Sequence, residues 1–170
     1  IDADLTASFT AGANAITLTN TSNDFSGAVS LSNTGSNDVS LTDANALDLG
    51  TVGVGQNLTA VIGGDITDSG VLDIAGNVLL TTNTSDGSVF LDQASDIDGV
   101  LTVTTDGMGT TTVTNLTGSI DLGAITTAGL TIDARGITQS GVLTVSGTSS
   151  FSSGANAITL DQANDFSGAV

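Results

Sequence analysis

Short runs in which apolar and polar residues alternate recur along the whole chain. In the first part of the chain they occupy residues 15–18, 28–31, 39–41, 47–49, 58–62, 71–74 and 78–80. In the first run, alternation places Ile16 and Leu18 on one face of a strand and Thr17 and Thr19 on the other. The pattern therefore predicts many half-buried β-strands of roughly three to six residues each.

Turn-forming dipeptides separate these runs, among them Asn23-Asp24, Gly63-Gly64, Ser69-Gly70 and Asp86-Gly87. Gly, Asn and Asp favour tight corners because they accept positive φ or close a turn with a side-chain hydrogen bond. The chain contains no Glu, Lys or Pro, and residues that favour strands and turns dominate it. We expect an all-β fold.

The runs belong to a longer repeat. The segment 8–18 returns as 150–160, displaced by 142 positions, and 66–74 returns as 137–145, displaced by 71. Shorter matches, 91–99 with 160–168 and 48–50 with 121–123, are displaced by 69 and 73. The sequence thus holds two units of about 71 residues and begins a third. We interpret residues 1–170 as one segment of a longer repetitive chain.

Repetition of this kind favours a parallel β-solenoid over an antiparallel sandwich. Identical coils stack about 4.8 Å apart, so each inward Val, Leu or Ile meets an aliphatic residue above and below it. The spacing predicts about eight coils of roughly 20 residues, and parallel crossovers predict a right-handed coil. We expect the equivalent residues Ile66 and Ile137 to occupy the same inward column.

Charge narrows the range of partners. The net charge is −17, from 18 Asp and a single cation, Arg135. Nucleic acids and anionic membranes both need Lys or Arg to neutralise phosphate, so they are excluded as partners. No apolar stretch reaches the roughly 18 residues that a membrane span needs, and the absence of Cys is consistent with export.

The residues that catalysis normally uses are missing from the sequence. It contains no His, Cys, Lys, Tyr or Glu, which leaves Asp pairs and Arg135 as the candidates. Arg135 occupies the position of Gly64 in the matching unit, which indicates an exposed corner. We expect no enzyme activity, no catalytic or cofactor-binding residue, and no cofactor.

Two acidic runs are candidate calcium ligands, Asp2-Ala3-Asp4 and Asp96-Ile97-Asp98. A calcium site needs six or more converging oxygen atoms. Asp98 is not kept between units, whereas Asp96 is, as expected of a turn residue that bonds backbone N–H groups. The residues matching Asp98 are Ser26 and Ser167, and those matching Asp96 are Asp24 and Asp165. We expect weak or diffuse Ca²⁺ association and no specific metal site.

Thr-x-Thr pairs at Thr17/Thr19 and Thr102/Thr104 raise the alternative of an ice-binding face. One unit further on, Thr19 corresponds to Asp92, so the array breaks when the units are compared. The simpler explanation is that Thr favours outward positions of strands.

Four Asn-x-Ser/Thr sequons, at Asn20, Asn57, Asn83 and Asn115, permit glycosylation. Such sequons also arise by chance in a chain rich in Asn and Thr. We assign them no function.

The segment Gly63-Gly64-Asp65-Ile66-Thr67-Asp68-Ser69-Gly70-Val71-Leu72, the Ala-Asn-Ala-Ile-Thr-Leu runs and the segment 23–31 resemble filamentous-haemagglutinin-type repeats. That family comprises large bacterial surface proteins exported by two-partner secretion or related routes. The resemblance covers essentially the whole chain, and it implies a long right-handed parallel β-helix shaft.

We therefore expect a structural shaft of a secreted bacterial adhesin or surface fibre, located outside the cell or on its surface. The alternative is a repeat or subunit of a self-assembling extracellular filament. Calcium-binding and ice-binding solenoids are the lower alternatives. The expected partners are neighbouring repeats or copies end to end, together with a host or matrix receptor that the sequence does not identify.

Overall fold

The computed structural model describes residues 1–84 and 86–170, and within them it contains 21 β-strands and no helix. The strands up to the middle of the chain are β1 (Asp2–Ala3), β2 (Ala7–Gly12), β3 (Ile16–Leu18), β4 (Asp24–Phe25), β5 (Val29–Asn33), β6 (Val39–Asp43), β7 (Leu47–Val54), β8 (Leu58–Ile62), β9 (Ile66–Asp68) and β10 (Leu72–Ile74). The remaining strands are β11 (Val78–Thr82), β12 (Val89–Leu91), β13 (Asp96–Ile97), β14 (Val100–Thr104), β15 (Thr110–Asn115), β16 (Ile120–Thr127), β17 (Gly129–Ala134), β18 (Ile137–Gln139), β19 (Leu143–Val145), β20 (Ser149–Ser152) and β21 (Asp165–Phe166). Within the described ranges, no helix is long and apolar enough to span a bilayer.

Every pairing between these strands is parallel, and the partner on the next turn lies 17 to 23 residues further along the chain. The strands form a ten-stranded sheet, a nine-stranded sheet and the short pair β1–β4. The chain therefore winds through about eight turns of about 20 residues each. This confirms the predicted all-β parallel β-solenoid, while its right-handed sense remains a prediction.

Aliphatic side chains from both large sheets fill one continuous core. In the nine-stranded sheet, for example, a single column runs through Leu58, Val78, Leu101 and Leu122, all at most 1% exposed. Full burial of each such side chain stabilises the fold by about 1.5–3 kcal/mol. Because each turn packs mainly on the turns directly above and below it, the core can be long without being wide.

The repeat unit does not correspond to a whole number of turns. In the nine-stranded sheet, Val61 is three turns away from Thr126. The residue of the next unit that is equivalent to Val61 is Asp133. It follows Thr126 in the chain and lies on the ten-stranded sheet. One unit therefore advances the chain by three and a half turns. Equivalent strands alternate between the sheets: β7 lies in the ten-stranded sheet, and its counterpart β16 lies in the nine-stranded sheet.

This half turn corrects the expectation that Ile66 and Ile137 share one inward column. Both side chains are buried and point inward. Ile66 pairs with Leu47 in the ten-stranded sheet, however, whereas Ile137 pairs with Ile120 in the nine-stranded sheet. Only the 142-residue displacement returns a segment to its own sheet, as it does for β2 and β20.

Glycine allows the turns to approach closely at corners on both sides of the coil. A Cβ atom on Gly99 would lie 2.4 Å from the carbonyl carbon of Gly76, and one on Gly168 would lie 2.3 Å from the carbonyl oxygen of Gly147. Both distances are too short for real side chains. The Ser-Gly and Asp-Gly signals in the sequence therefore mark positions where backbone stacks directly on backbone.

Candidate interaction surfaces

The recurring aspartates lie in strands, not in turns as the sequence suggested. They are Asp24, Asp96 and Asp165, at the starts of the two-residue strands β4, β13 and β21. The preceding residue makes the backbone hydrogen bonds instead: Ser95 Oγ accepts from the N–H of Leu72 at 3.4 Å, and Asn164 Oδ1 accepts from the N–H of Leu143 at 3.0 Å. The aspartates are free to project outward.

Carboxylates stack directly on one another at two places. Asp2 pairs in register with Asp24, and Asp73 pairs with Asp96. Within residues 1–84 and 86–170, no three acidic side chains come together in a way that could hold a metal ion. A diffuse association of cations with these stacked pairs remains a prediction.

Buried polar side chains at equivalent inward positions of the two units accept hydrogen bonds from backbone N–H groups. The sequence analysis did not predict them. In the first unit, Asp43 Oδ1 accepts from the N–H of Phe25 at 3.3 Å and from that of Ala44 at 2.9 Å. In the second unit, the fully buried Asn115 accepts from the N–H of Ile97 at 2.9 Å. Burial raises the pKa of the Asp43 carboxyl, and the nearby Asp24 charge adds to this effect.

A second position shows the same exchange of acid for amide. Asp68 Oδ1 accepts from the N–H of Asp92 at 2.9 Å, while its Oδ2 is buried without a hydrogen-bond partner. Its counterpart Gln139 uses Nε2 to donate to the carbonyl oxygen of Gly141 at 2.7 Å and to Asn164 Oδ1. Burial is the main cause of the raised pKa of Asp68, and the Asp92 charge adds to it. The available signal was polar residues at inward positions of alternating runs.

An asparagine ladder runs along one corner of the coil, from Asp38 to Val100. Asp38 Oδ1 accepts from the N–H of Asn57 at 3.1 Å, Asn57 Oδ1 from that of Asn77 at 2.9 Å, and Asn77 Oδ1 from that of Val100 at 2.9 Å. Each side chain thus satisfies a backbone donor one turn further on. The ladder fixes the starts of β8, β11 and β14 in the nine-stranded sheet.

The four sequons occupy different environments. Asn115 is 0% exposed and its amide donates to Ser119, so this sequon is closed to glycosylation in the folded chain. Asn57 belongs to the asparagine ladder, and Asn20 is exposed. The sequon at Asn83 includes Ser85, which lies outside the described residues.

Outward side chains of the nine-stranded sheet form two long columns. We define the threonine face as the two columns of outward residues that run across β3, β6, β8, β11 and β14. These residues are Thr17, Ser40, Thr42, Thr59, Val61, Leu79, Thr81, Thr102 and Thr104. One column continues beyond the face to Thr126 and Thr144. The sequence analysis inferred a break in the threonine array because Thr19 corresponds to Asp92 one unit further on. Residues that stack on one another are instead one turn apart, and there the columns continue.

Comparison with known families finds three consecutive matches to the family described as repeats of unknown function (DUF5649). The matched segments are residues 3–32, 36–104 and 108–170. The chain belongs to the DUF5649 repeat family. No curated protein and no solved structure matches it.

The DUF5649 matches follow the structural unit. The second and third segments begin at Ser36 and Met108, close to two equivalent corners at Gly35 and Gly107, where φ is 70° and 60°. One DUF5649 repeat therefore corresponds to the unit of three and a half turns. The description of the family gives no activity, ligand or location.

The DUF5649 chain has a shallow cleft of about 310 Å³ beside the corner at Gly35. It is lined largely by backbone at Gly35, Gly53 and Gly55, and its one ionisable group is Asp73. Arg135, the single cation in the sequence, follows β17 and is exposed, as its corner position predicted. The cleft and Arg135 do not provide the paired acid and base that acid–base catalysis uses.

Proposed function

We propose that the chain is a structural shaft segment of a secreted bacterial adhesin or surface fibre of the filamentous-haemagglutinin type. The observation that carries the proposal is the continuous core, in which each repeat adds three and a half turns. Since each turn packs on its neighbours, repeats can be added without changing existing contacts. This is what an extending shaft requires.

The proposal includes no catalytic step and no resident cofactor. Its partners are neighbouring repeats, while a receptor would be engaged by other parts of a longer protein or by the repetitive surface itself. The acidic composition supports the shaft proposal, because a net charge of −17 favours a rod that stays in solution. Cations associate diffusely with the stacked carboxylates.

A subunit of an end-to-end filament is the second candidate, because the parallel pairing that joins neighbouring turns can also join the sheets of one copy to those of the next. Growth of the maximum particle dimension with concentration, at constant cross-section, would support a filament, whereas constant length would contradict it.

Small-angle scattering tests the shaft directly. Residues 8–149 are duplicated after position 149, which inserts one full 142-residue repeat. Seven further turns should lengthen the particle by about 34 Å and leave its cross-section unchanged. An increase in cross-section without that gain in length would contradict a shaft.

Location is tested separately on bacteria that carry the native protein. Antibodies raised against the 170-residue chain should label intact cells, and external protease should abolish the signal. A control antibody against a cytosolic protein should label only permeabilised cells. If the repeat is detected only after permeabilisation, secretion and surface display are wrong.

A further inference from the structure

The threonine face carries no charge, although the chain carries 18 carboxylates. Nine outward positions on five neighbouring strands hold only Thr, Ser, Val and Leu. Outward aspartates lie on the ten-stranded sheet, at Asp48, Asp73, Asp96 and Asp133, and on the part of the nine-stranded sheet beyond the face, at Asp121 and Asp165. The two columns of the threonine face itself are free of charge.

The centre of the threonine face is apolar. Leu79 is 39% exposed and lies in register between Thr59 and Thr102. Val61, in the adjacent column, lies between Thr42 and Thr81. An apolar centre surrounded by uncharged polar side chains is the composition of a protein interface.

We propose that the threonine face pairs side by side with the same face of a second copy of this chain. Two chains of net charge −17 repel wherever carboxylates meet, and along this face they can touch without bringing carboxylates together. The proposal rests on the proposed shaft function, because pairing of this kind would bundle shafts laterally.

The period of the fold supports a second copy as the occupant. Both faces repeat at the spacing between turns, about 4.8 Å. Hydroxyl and methyl groups that meet on one turn can therefore meet again on every turn. A partner with another period would drift out of register along the face.

The second unit provides a natural comparison. Its corresponding face lies on the ten-stranded sheet, where Asp133 occupies the position of Val61. A carboxylate at that position would face its own copy across a symmetric contact, and desolvating it costs free energy. The face around Val61 can therefore pair, whereas the corresponding face around Asp133 is blocked by charge.

The expected affinity is low because the face is small. Five turns extend over about 19 Å, so the buried area falls below the roughly 800 Å² per partner of a stable interface. We expect dissociation constants of about 100 μM or weaker for the 170-residue chain. Moderate salt should strengthen pairing, since it screens the remaining repulsion.

Sedimentation and small-angle scattering of the 170-residue chain test the proposal, from about 10 μM to about 1 mM. The wild type should shift from monomer to dimer with a larger cross-section at unchanged length. Val61→Asp should weaken association at least about tenfold. It should still fold, because Asp133 is tolerated at the equivalent position. Ser32→Asp is the control: it adds the same charge on the ten-stranded sheet and should not change association.

Asp133→Val is the converse variant. It should open a second face on the other sheet and convert dimers into larger lateral assemblies.

A monomeric wild type at all concentrations, or equal effects of Val61→Asp and Ser32→Asp, would overturn the pairing. A monomer that is still rod-shaped would leave the shaft function standing, whereas a compact monomer would reject both. A wild type that stays monomeric but inhibits ice recrystallisation, with Val61→Asp inactive, would assign the face to ice instead.

Discussion

The two repeat units have the same strand order but differ in the buried polar side chains at equivalent inward positions. The first unit comprises β2–β10 (residues 7–74), and the second comprises β11–β19 (residues 78–145). Where the first unit places the carboxyls of Asp43 and Asp68, the second places the amides of Asn115 and Gln139. The repeat thus preserves an oxygen that accepts a backbone hydrogen bond, and it does not preserve the charge.

The difference shows what the fold requires at these positions. Asp43 and Asn115 each satisfy the N–H of a buried strand residue, Phe25 or Ile97, that would otherwise have no partner. Asp68 and Gln139 accept from the N–H of the corner residues Asp92 and Gln162. The amides go further, because Asn115 also donates to the carbonyl oxygens of Gly118 and Ser119. A carboxylate cannot donate in this way unless it is protonated. The first unit should therefore be the one that responds to pH.

The largest effect is expected from moving a carboxyl into the second unit. Asn115→Asp would place a charge in a fully buried site against two carbonyl oxygens. We expect a loss of about 3–5 kcal/mol in the free energy of unfolding at pH 7, measured by urea denaturation.

The reciprocal variant, Asp43→Asn, is the matched control for this change. It keeps the oxygen acceptor and should lie within about 1 kcal/mol of wild type. Equal stabilities of Asn115→Asp and wild type would show that the two sites do not differ in their tolerance of charge.

The next effect concerns Asp68 and pH. Burial raises its pKa in the folded state above the ordinary aspartate value of 3.8, so the folded chain holds the proton more tightly than the unfolded chain does. The stabilisation is complete below pH 3.8 and is lost as the pH rises through the raised pKa. Asp68→Asn should stabilise the fold by about 1–3 kcal/mol at neutral pH, and this gain should vanish in acid.

Urea denaturation across the acidic and neutral range measures this difference. Asp98→Asn, at an exposed position, removes the same charge and serves as the control. A gain for Asp68→Asn that does not depend on pH, or one matched by Asp98→Asn, would contradict the account of Asp68.

Much of the architecture could be predicted from sequence, because alternation identifies strands and identity at a fixed displacement identifies a solenoid. The run at residues 58–62 became β8 without change, and that at 39–41 became β6, extended to Asp43. The half turn was not predictable in this way. A displacement of 71 does not say how many turns it contains, so Ile66 and Ile137 were assigned to one column.

The surface was harder to predict for a related reason. Neighbours in space are one turn apart, where the sequence shows little identity, as between Thr59 and Leu79. The buried acceptors escaped notice because Asn and Asp are also the residues expected in turns. Alternation with Thr111 and Val113 marks Asn115 as inward, but the register is needed to separate such a position from a turn residue.

A smaller difference between the units involves the asparagine ladder, because the second unit has no asparagine at the position equivalent to Asn57. Gly129 stands where the first unit has Asn57. Asn57→Ala removes the acceptor for the N–H of Asn77 and should cost about 1 kcal/mol. Asn45→Ala, at an exposed position, should cost less than about 0.5 kcal/mol. Equal losses in thermal denaturation would show that the ladder does not stabilise this corner.

The smallest effect is expected at the stacked carboxylates. Asp73 and Asp96 are in register, and two charges about 4.8 Å apart repel by about 0.9 kcal/mol in water. Asp96→Asn should raise the melting temperature slightly at low salt, and NaCl should remove the difference by screening. A saturable response to Ca²⁺ alone in the wild type would instead indicate a specific calcium site.

The central claim is that one repeat advances the chain by three and a half turns, and spin-label distances test it most directly. The chain contains no cysteine, so cysteine pairs can be labelled selectively. Three double variants are needed, in which Val61→Cys is combined with Thr126→Cys, Thr144→Cys or Asp133→Cys. Each labelled protein is diluted with unlabelled protein.

Thr126 and Thr144 lie three and four turns from Val61 on its own sheet. Asp133 lies between them along the axis, on the other sheet. Pulsed dipolar spectroscopy should therefore give a longer distance for 61/133 than for either 61/126 or 61/144. A 61/133 distance between the other two would place equivalent residues on one sheet and contradict the half turn.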